Sequence, residues 1–376
     1  MTSIYYISEI DFTQRNASTK RILDISKVLT QNTDYQVKII GNSHTSHLVC
    51  DGFQVFNTPK GHHIFTKIIN YIRRGLLMVN LLKRLPSCDI IIYYGTNYSR
   101  ILPLKRFCHK HRIKLIIDIV EWYNYNTLPF GKYGPLALDV HLGINKIIPK
   151  CDGVIAISSY LQEFYKQQNV KTIRIPVLSS GYSPAISTDN DWNEDYLHLI
   201  YAGVPYKKDS ILPILKAVDQ LALEEEKIRF HLLGPTPEYL YKLYHYLPGT
   251  NIICHGHIPQ NKVAEFLQKA DFSVLIRPHL RYAEAGFPTK FVESLSAGLP
   301  VIANITSDLN LYLKDGFNGF IVDSPTQEAL ISKLRYILSV PRKKFQNMKQ
   351  NAKETAQNYF APELYIKSLN EFITSI

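Results

Sequence analysis

Short apolar runs alternate with segments of helical periodicity along most of this chain, and the rhythm breaks once, over residues 176–195. The runs at 4–8, 35–41, 53–56, 89–94, 114–118, 153–157 and 173–175 read as buried strands. Those at 197–201, 228–233, 251–254, 272–276, 301–303 and 319–322 read the same way. Helical patterns fall between many of them, for example over 17–29, 64–85, 158–165, 210–223 and 261–270, and again over 341–359 and 361–376. Strands that alternate with helices predict parallel sheets covered on both faces. The break is rich in Ser, Pro, Asp and Asn and reads as a linker. A length of 376 residues suits two domains with full cores. The expected class is α/β, with two doubly wound, Rossmann-like domains over 1–182 and 183–354. Ligands of such sheets bind beyond the carboxyl ends of the strands, which places a site in the cleft between the domains.

Residues 284–303 read EAGFPTKFVESLSAGLPVIA. Glu284 and Glu293 bracket Gly286, Phe287, Pro288, Thr289 and Lys290. A helix is expected to start near Thr289, stop at Gly298 and lead into the strand Val301-Ile302-Ala303. A loop entering a helix offers unpaired N–H groups and a partial positive charge to an anion such as a phosphate. Glu293 would lie about one turn inside, able to accept hydrogen bonds from sugar hydroxyls. An ordinary βα connection is the alternative.

This segment resembles the nucleotide-sugar site of retaining glycosyltransferases of family 4, which have the GT-B fold. Their motif sets two glutamates seven residues apart before a small-Gly-x-Pro-Val strand. Here eight residues separate Glu284 from Glu293, and Ala285 stands where the first glutamate would fall. The Gly-x-Pro-Thr-Lys variant resembles a bacterial branch that builds surface polysaccharides such as capsule or lipopolysaccharide. The resemblance is specific over residues 200–325 and diffuse over the first half. It implies a metal-independent hexosyl- or glycosyltransferase with a nucleoside-diphosphate sugar as co-substrate and no cofactor. It also implies a terminal segment, 355–376, whose helix packs back on the first domain.

The resemblance carries roles to further residues. Gly203, Lys207 and Lys208 follow a strand in a turn that in the family holds the donor diphosphate; the family's arginine is replaced by Val204 or Pro205. Cations and helix starts must neutralise a departing diphosphate where no metal does so. Arg277, at the end of the run 272–276, and Lys290 are the candidates to stand in. Gly286 to Thr289 would position the donor sugar and Glu293 its ribose. Arg15, Asn16 and Ser18 lie in the first βα loop and would contact the acceptor, with a plain helix cap as the equal alternative for Asn16 or Ser18. Glu121 follows another strand and would take the acceptor hydroxyl proton, with capping of its own loop as the alternative. Glu121, Lys208 and Glu284 are therefore the candidate catalytic residues. No covalent nucleophile is nominated.

Charge is uneven. Residues 1–182 hold 23 Lys and Arg against 11 Asp and Glu, whereas residues 183–376 hold 20 against 21. The basic half is expected to face an acidic partner, either an anionic membrane surface or a lipid-diphosphate-linked glycan acceptor. Nucleic acid is disfavoured because no binding motif accompanies the charge. The pattern over 64–85 combines apolar residues with Lys67, Arg73, Arg74, Lys83 and Arg84, as in a helix lying on an anionic membrane or a core helix with a basic outer face. Arg100, Lys105, Arg106, Lys110, Arg112 and Lys114 would extend the positive surface.

Five cysteines without a Cys-x-x-Cys pair suggest reduced thiols. The start lacks the form of a signal peptide, and no apolar run is long enough to span a bilayer. The expected location is cytoplasmic, peripheral on the inner face of the plasma membrane. No metal is expected: Asp189-Asn190-Asp191 lies in the polar linker, Cys254, His255 and His257 make only one cluster, and His62-His63 is an isolated pair. Two rival functions share these features, a GT-B sugar-nucleotide epimerase and an inactive glycan- or membrane-binding partner.

Overall fold

The computed structural model describes residues 2–14, 16–42, 48–57, 64–180, 192–193, 195–205 and 209–376; for residues 64–70, 72 and 261 it describes the backbone alone. The chain forms two compact units. One comprises Met1–Leu178, Ala285–Phe287 and Pro362–Ile376, and the other Ser179–Glu284 and Pro288–Ala361.

The sheet of the first unit contains β1 (Thr2–Asp11), β2 (Tyr35–Asn42), β3 (Leu48–Cys50), β4 (Phe53–Asn57), β5 (Ile90–Tyr94), β6 (Lys114–Ile119), β7 (Gly153–Ala156) and β8 (Thr172–Arg174). Their order is β3-β4-β2-β1-β5-β6-β7-β8. All neighbours pair in parallel except β3 with β4. That hairpin turns at Asp51 and Gly52, both at positive φ, as a tight two-residue turn requires. The sheet of the second unit contains β9 (Leu197–Ala202), β10 (Ile228–Leu233), β11 (Ile252–Gly256), β12 (Phe272–Leu275), β13 (Val301–Ala303) and β14 (Gly319–Ile321), in the order β11-β10-β9-β12-β13-β14, all parallel. In each sheet the connections run outward in both directions from the first long strand. The resulting switch points, β1/β5 and β9/β12, are where doubly wound sheets bind ligands.

The strands are apolar on both faces because helices cover both. In the second unit Leu199, Tyr201, Phe230, Leu232, Phe272 and Val274 pack with Leu215, Val218, Leu334 and Ile337 from helices Ile211–Leu223 and Gln327–Ser339. The expected terminal segment 355–376 is divided at Ala361. Residues through Phe360 continue the helix Arg342–Phe360 of the second unit, whereas Pro362–Ile376 group with the first, where Leu369, Phe372 and Ile373 join its core.

One buried ion pair fixes the first helix. Arg21, in Ala17–Thr30, meets the Asp118 carboxylate of β6 at 2.7 Å and donates through Nη1 to the carbonyls of Ile175 and Pro176. The Tyr6 hydroxyl of β1 donates to the same carboxylate at 2.6 Å. Asp118 is wholly buried, and its hydrogen bonds from Arg21 and Tyr6 replace the water it loses.

The second unit carries a chain of three imidazoles. His198 donates through Nε2 to the Asn193 carbonyl at 2.8 Å, which leaves its Nδ1 as an acceptor, 3.0 Å from His231 Nε2. His231 Nδ1 is in turn 3.0 Å from His255 Nε2. With all three rings neutral, each carries its proton on Nε2. Trp192 stacks on His231 at 3.7 Å. Burial first, and then the neighbouring imidazoles, lower the His231 pKa to about 3; burial lowers His198 and His255 as well. The unfolded rings bind protons below about pH 6.5 and the folded chain does not, so stability present above that pH is lost as pH falls toward 3. Between pH 7 and 5.5 His231→Phe is expected to lose about 1 kcal/mol less stability than the parent. Urea denaturation at the two pH values measures this, and an unchanged difference would refute it.

Candidate functional site

At the carboxyl edge of the second sheet, β9 and β12 deliver two loops to one place. The chain leaves β9 through Gly203, at φ +132°. That backbone favours glycine, and a Cβ there would stand 2.8 Å from Cε of Lys290, so a side chain would also push the lysine aside. The Gly203 N–H donates to Leu233 O, and the Ser210 N–H to Ile276 O, which tie the loop to β10 and to the end of β12. Arg277 follows β12. Its backbone N–H donates to Asn304 Oδ1, and Asn304 Nδ2 donates back to its carbonyl. Its Nη1 donates to Ala283 O at 3.2 Å. The guanidinium is thus held in a fixed, buried position.

Asp209 lies at the centre. Its Oδ2 accepts from Lys290 Nζ at 2.8 Å and from the Tyr201 hydroxyl at 2.6 Å, and its Oδ1 is 4.0 Å from Arg277 Nε. Lys290 Nζ also sits 4.8 Å from the centre of the Tyr201 ring, close enough for a cation–π contact. Burial by itself would raise the Asp209 pKa. Lys290, the Tyr201 hydroxyl and Arg277 outweigh it and hold the carboxyl below its ordinary range. The Arg277 pKa is lowered by burial, which Asp209 opposes.

Lys290 belongs to the helix Thr289–Ser296, which starts where the residue pattern placed it. Pro288 occupies the cap position and supplies no side-chain hydrogen bond, so the first turn presents backbone N–H groups beside Lys290. Glu293 follows one turn later and is half-buried. Among the described residues none hydrogen-bonds or ion-pairs with its carboxylate. Gly286, Phe287 and Pro288 are buried, and Thr289 is half-buried; Gly286 and Phe287 group with the first unit.

Of the expected donor residues, the structure therefore brings Gly203, Arg277 and Lys290 together. Lys207, Lys208 and Arg15 lie outside the described residues, as do Asp189-Asn190-Asp191 and His62-His63. Glu284 ends up in a neighbouring cluster of the same unit. It accepts from the Ser307 N–H at 2.8 Å and faces His279 Nδ1 at 3.5 Å, while His279 Nε2 lies 3.4 Å from Asn304. In the first unit, Asn16 caps the helix Ala17–Thr30 by accepting from the N–H groups of Ser18 and Thr19, and the Ser18 hydroxyl accepts from Tyr94 at 2.9 Å. Glu121 is half-buried after β6 and hydrogen-bonds Tyr123. The residues not anticipated as site members are Asp209, Tyr201, His279 and Asn304. Asn304 stands directly after a strand, at the carboxyl edge, which was the available signal; the Asp209 partnership spans 81 residues and left none.

The family model for glycosyl transferases group 1 matches residues 183–355. No curated protein matches the sequence. Among solved structures the chain is similar to sucrose-phosphate synthase from Thermosynechococcus elongatus, with 14% identity, TM-score 0.76, and coverage of 100% of this chain and 99% of that one. It is also similar to HepE from Anabaena in complex with UDP-glucose, with 13% identity, TM-score 0.71 and full coverage of both chains. The lipopolysaccharide outer core galactosyltransferase WaaB is similar with 16% identity, TM-score 0.63, and coverage of 100% and 99%. At such identities the likeness establishes the fold, which is GT-B.

Asp209→Ala would leave the Tyr201 hydroxyl and Arg277 buried beside no carboxylate. Breaking a buried pair in this way is expected to cost about 3 kcal/mol, measured by urea denaturation. A loss below about 1 kcal/mol, the scale of an exposed pair, would show that Asp209 does not organise the site.

Proposed function

We propose that this GT-B chain, whose residues 183–355 match the group 1 glycosyl transferases, moves a sugar from a nucleoside diphosphate donor to a hydroxyl of a glycan acceptor with retention of configuration. One observation carries the reading. Two cations, Lys290 and Arg277, stand beside a helix start without a side-chain cap, and a half-buried carboxylate free of partners among the described residues, Glu293, follows one turn inside. Cations and helix N–H groups suit a diphosphate. A free carboxylate within reach suits the hydroxyl donors of a ribose.

In the proposed reaction the bond between the anomeric carbon and the β-phosphate oxygen breaks, and a bond from the acceptor oxygen to that carbon forms on the same face. The acceptor proton leaves with the nucleoside diphosphate or passes to a base; Glu121 is the carboxylate of the first unit nominated for it. Lys290 and Arg277, with Lys207 and Lys208, would stabilise the charge that grows on the departing diphosphate, so no resident metal is required. We assign the acceptor to a lipid-diphosphate-linked oligosaccharide used in surface polysaccharide assembly at the cytoplasmic face of the membrane. The motif over residues 284–303 and the basic first half support that assignment. The fold shared with a lipopolysaccharide galactosyltransferase is in keeping with it.

A panel of nucleotide sugars is expected to contain at least one that raises the melting temperature, since ligand binding to the native state stabilises it. Glu293→Ala should change stability by no more than about 0.5 kcal/mol, because no described partner is lost. It should reduce sugar transfer from that donor by about 100-fold, a loss on the scale of removing one well-placed polar contact to the reacting complex. EDTA should leave turnover unchanged. Full transfer by Glu293→Ala, or donor epimerisation with no acceptor present, would overturn the proposal.

A further inference from the structure

Two arginines of this chain are buried to a similar depth and are satisfied to very different extents. Arg21 is 7% exposed, and its Nε, Nη1 and Nη2 all donate, to Asp118 and to the carbonyls of Ile175 and Pro176. Arg277 is 6% exposed, and among the described residues its side chain makes one hydrogen bond, from Nη1 to Ala283 O. A guanidinium carries five N–H donors in a planar fork. Asp209 Oδ1, at 4.0 Å from Nε, is too far to fill one of them. A buried charge short of partners is costly, and such a shortage calls for an acceptor from outside the chain. The fork suits a phosphate.

The place of that guanidinium is set from the neighbouring strand. β12 and β13 pair through Ser273 with Val301, Val274 with Ile302 and Leu275 with Ala303. Asn304 comes next, and there its side chain takes over from the backbone ladder. Its Oδ1 accepts the Arg277 N–H at 2.9 Å, and its Nδ2 donates to the Arg277 carbonyl at 2.8 Å. The amide thus pairs with both main-chain groups of one residue, the one whose fork is unfilled. Asn304 is 1% exposed, so solvent hardly competes for these bonds.

The amide is itself held in one orientation. Nδ2 has a second hydrogen, and His279 Nε2 stands 3.4 Å from it. An amide nitrogen only donates, so Nε2 accepts and the neutral ring carries its proton on Nδ1. That proton faces Glu284 Oε1 at 3.5 Å, while Glu284 Oε2 accepts from the Ser307 N–H. A flipped amide would set its oxygen against the Arg277 carbonyl and its nitrogen against the Arg277 N–H. Glu284 thereby belongs to a brace that runs from Ser307 through His279 and Asn304 to Arg277.

We infer that Asn304 is a positioning residue of the proposed transfer: it fixes the Arg277 main chain so that the unfilled donors of the guanidinium meet the leaving diphosphate. The inference rests on the nucleoside diphosphate donor proposed above. Asn304 touches no reacting atom; it acts through Arg277. The physical ground is rigidity. Charge stabilisation depends on donors already aimed where charge develops, and a misplacement of about 1 Å can cost about 100-fold in rate. A residue at the fraying end of a strand has that freedom, whereas one whose N–H and carbonyl are both clamped does not.

The test is a double-mutant cycle with Arg277→Gln in the full chain, read by kcat for sugar transfer and by affinity for inorganic pyrophosphate. Asn304→Ala is expected to lower kcat about 100-fold. Added to Arg277→Gln it should cost less than about threefold more, because the group it positions is already gone. Pyrophosphate binding should follow the same pattern, weakened by either substitution and little further by the second. Asn304→Asp keeps the size of the side chain and the acceptor for the Arg277 N–H but sets a second oxygen against the Arg277 carbonyl. It serves where the alanine variant does not fold, and it should show the same dependence on Arg277. An amide that merely caps the sheet would give lower stability in urea with parental kcat in the folded fraction, or losses in kcat that multiply in the double variant. Either result would overturn the inference and leave the transferase reading standing. Coupled effects on pyrophosphate binding in a chain that transfers no sugar would do the reverse, upholding Asn304 as the residue that aims Arg277 at a diphosphate.

Discussion

A buried carboxylate that gathers donors from separate segments organises the carboxyl edge of each sheet. In the second unit Asp209 draws Tyr201 from β9, Arg277 from the loop after β12 and Lys290 from the helix Thr289–Ser296. In the first, Asp118 draws Arg21 from the opening helix and Tyr6 from β1. Parallel strands bring this about. All their carboxyl ends face one way, so the loops that follow converge, and each charge buried there must find its partner in another loop. The arrangement ties together stretches far apart in sequence with few contacts, and it sets the geometry any ligand at that edge must meet.

Elements dictated by local chemistry were legible in the sequence. The strands over 228–233 and 301–303 coincide with those observed, and the helix after Pro288 begins where the pattern placed it. The resemblance and the rule that loops converge after parallel strands singled out Gly203, Arg277 and Lys290, and the fold brings these three near one another. The hairpin β3–β4 went unread although its Asp51-Gly52 pair is a turn signal, because β3 is only three residues long. What escaped otherwise were pairings across long chain separations. Arg100 looks like surface charge until Glu9, 91 residues away, is placed against it. Asn16 is open in the sequence between a ligand contact and a helix cap, and in the fold its side chain accepts from the N–H groups of Ser18 and Thr19.

The same separations redistribute the charge of the first unit. Its number of Lys and Arg residues overstates the exposed cations, since Arg21 and Arg100 are sequestered in pairs with Asp118, Glu9 and Asp139. Exposed cations remain on several elements: Arg73 and Arg74 on helix Ile64–Leu82, Arg106 and Lys110 on helix Tyr98–His111, and Lys132, Lys146 and Lys150 farther along the chain.

In the second unit the near balance of charge has a mechanistic consequence on the proposed function. Lys290 is not a free cation waiting for phosphate; it is already bonded to Asp209 at 2.8 Å. A diphosphate that recruits it gains only the difference between its own pairing and the one displaced, which weakens ground-state binding. That difference grows as the bond to the sugar breaks and negative charge accumulates on the leaving oxygen. Interaction weighted toward the charged, late state accelerates the reaction, whereas uniform binding does not. After transfer the carboxylate stands ready to reclaim the lysine, so the resident anion that lowers affinity for the donor also opposes retention of the product. Asp209, which sequence reasoning left without a role, is on this argument the group that tunes how tightly the site holds phosphate.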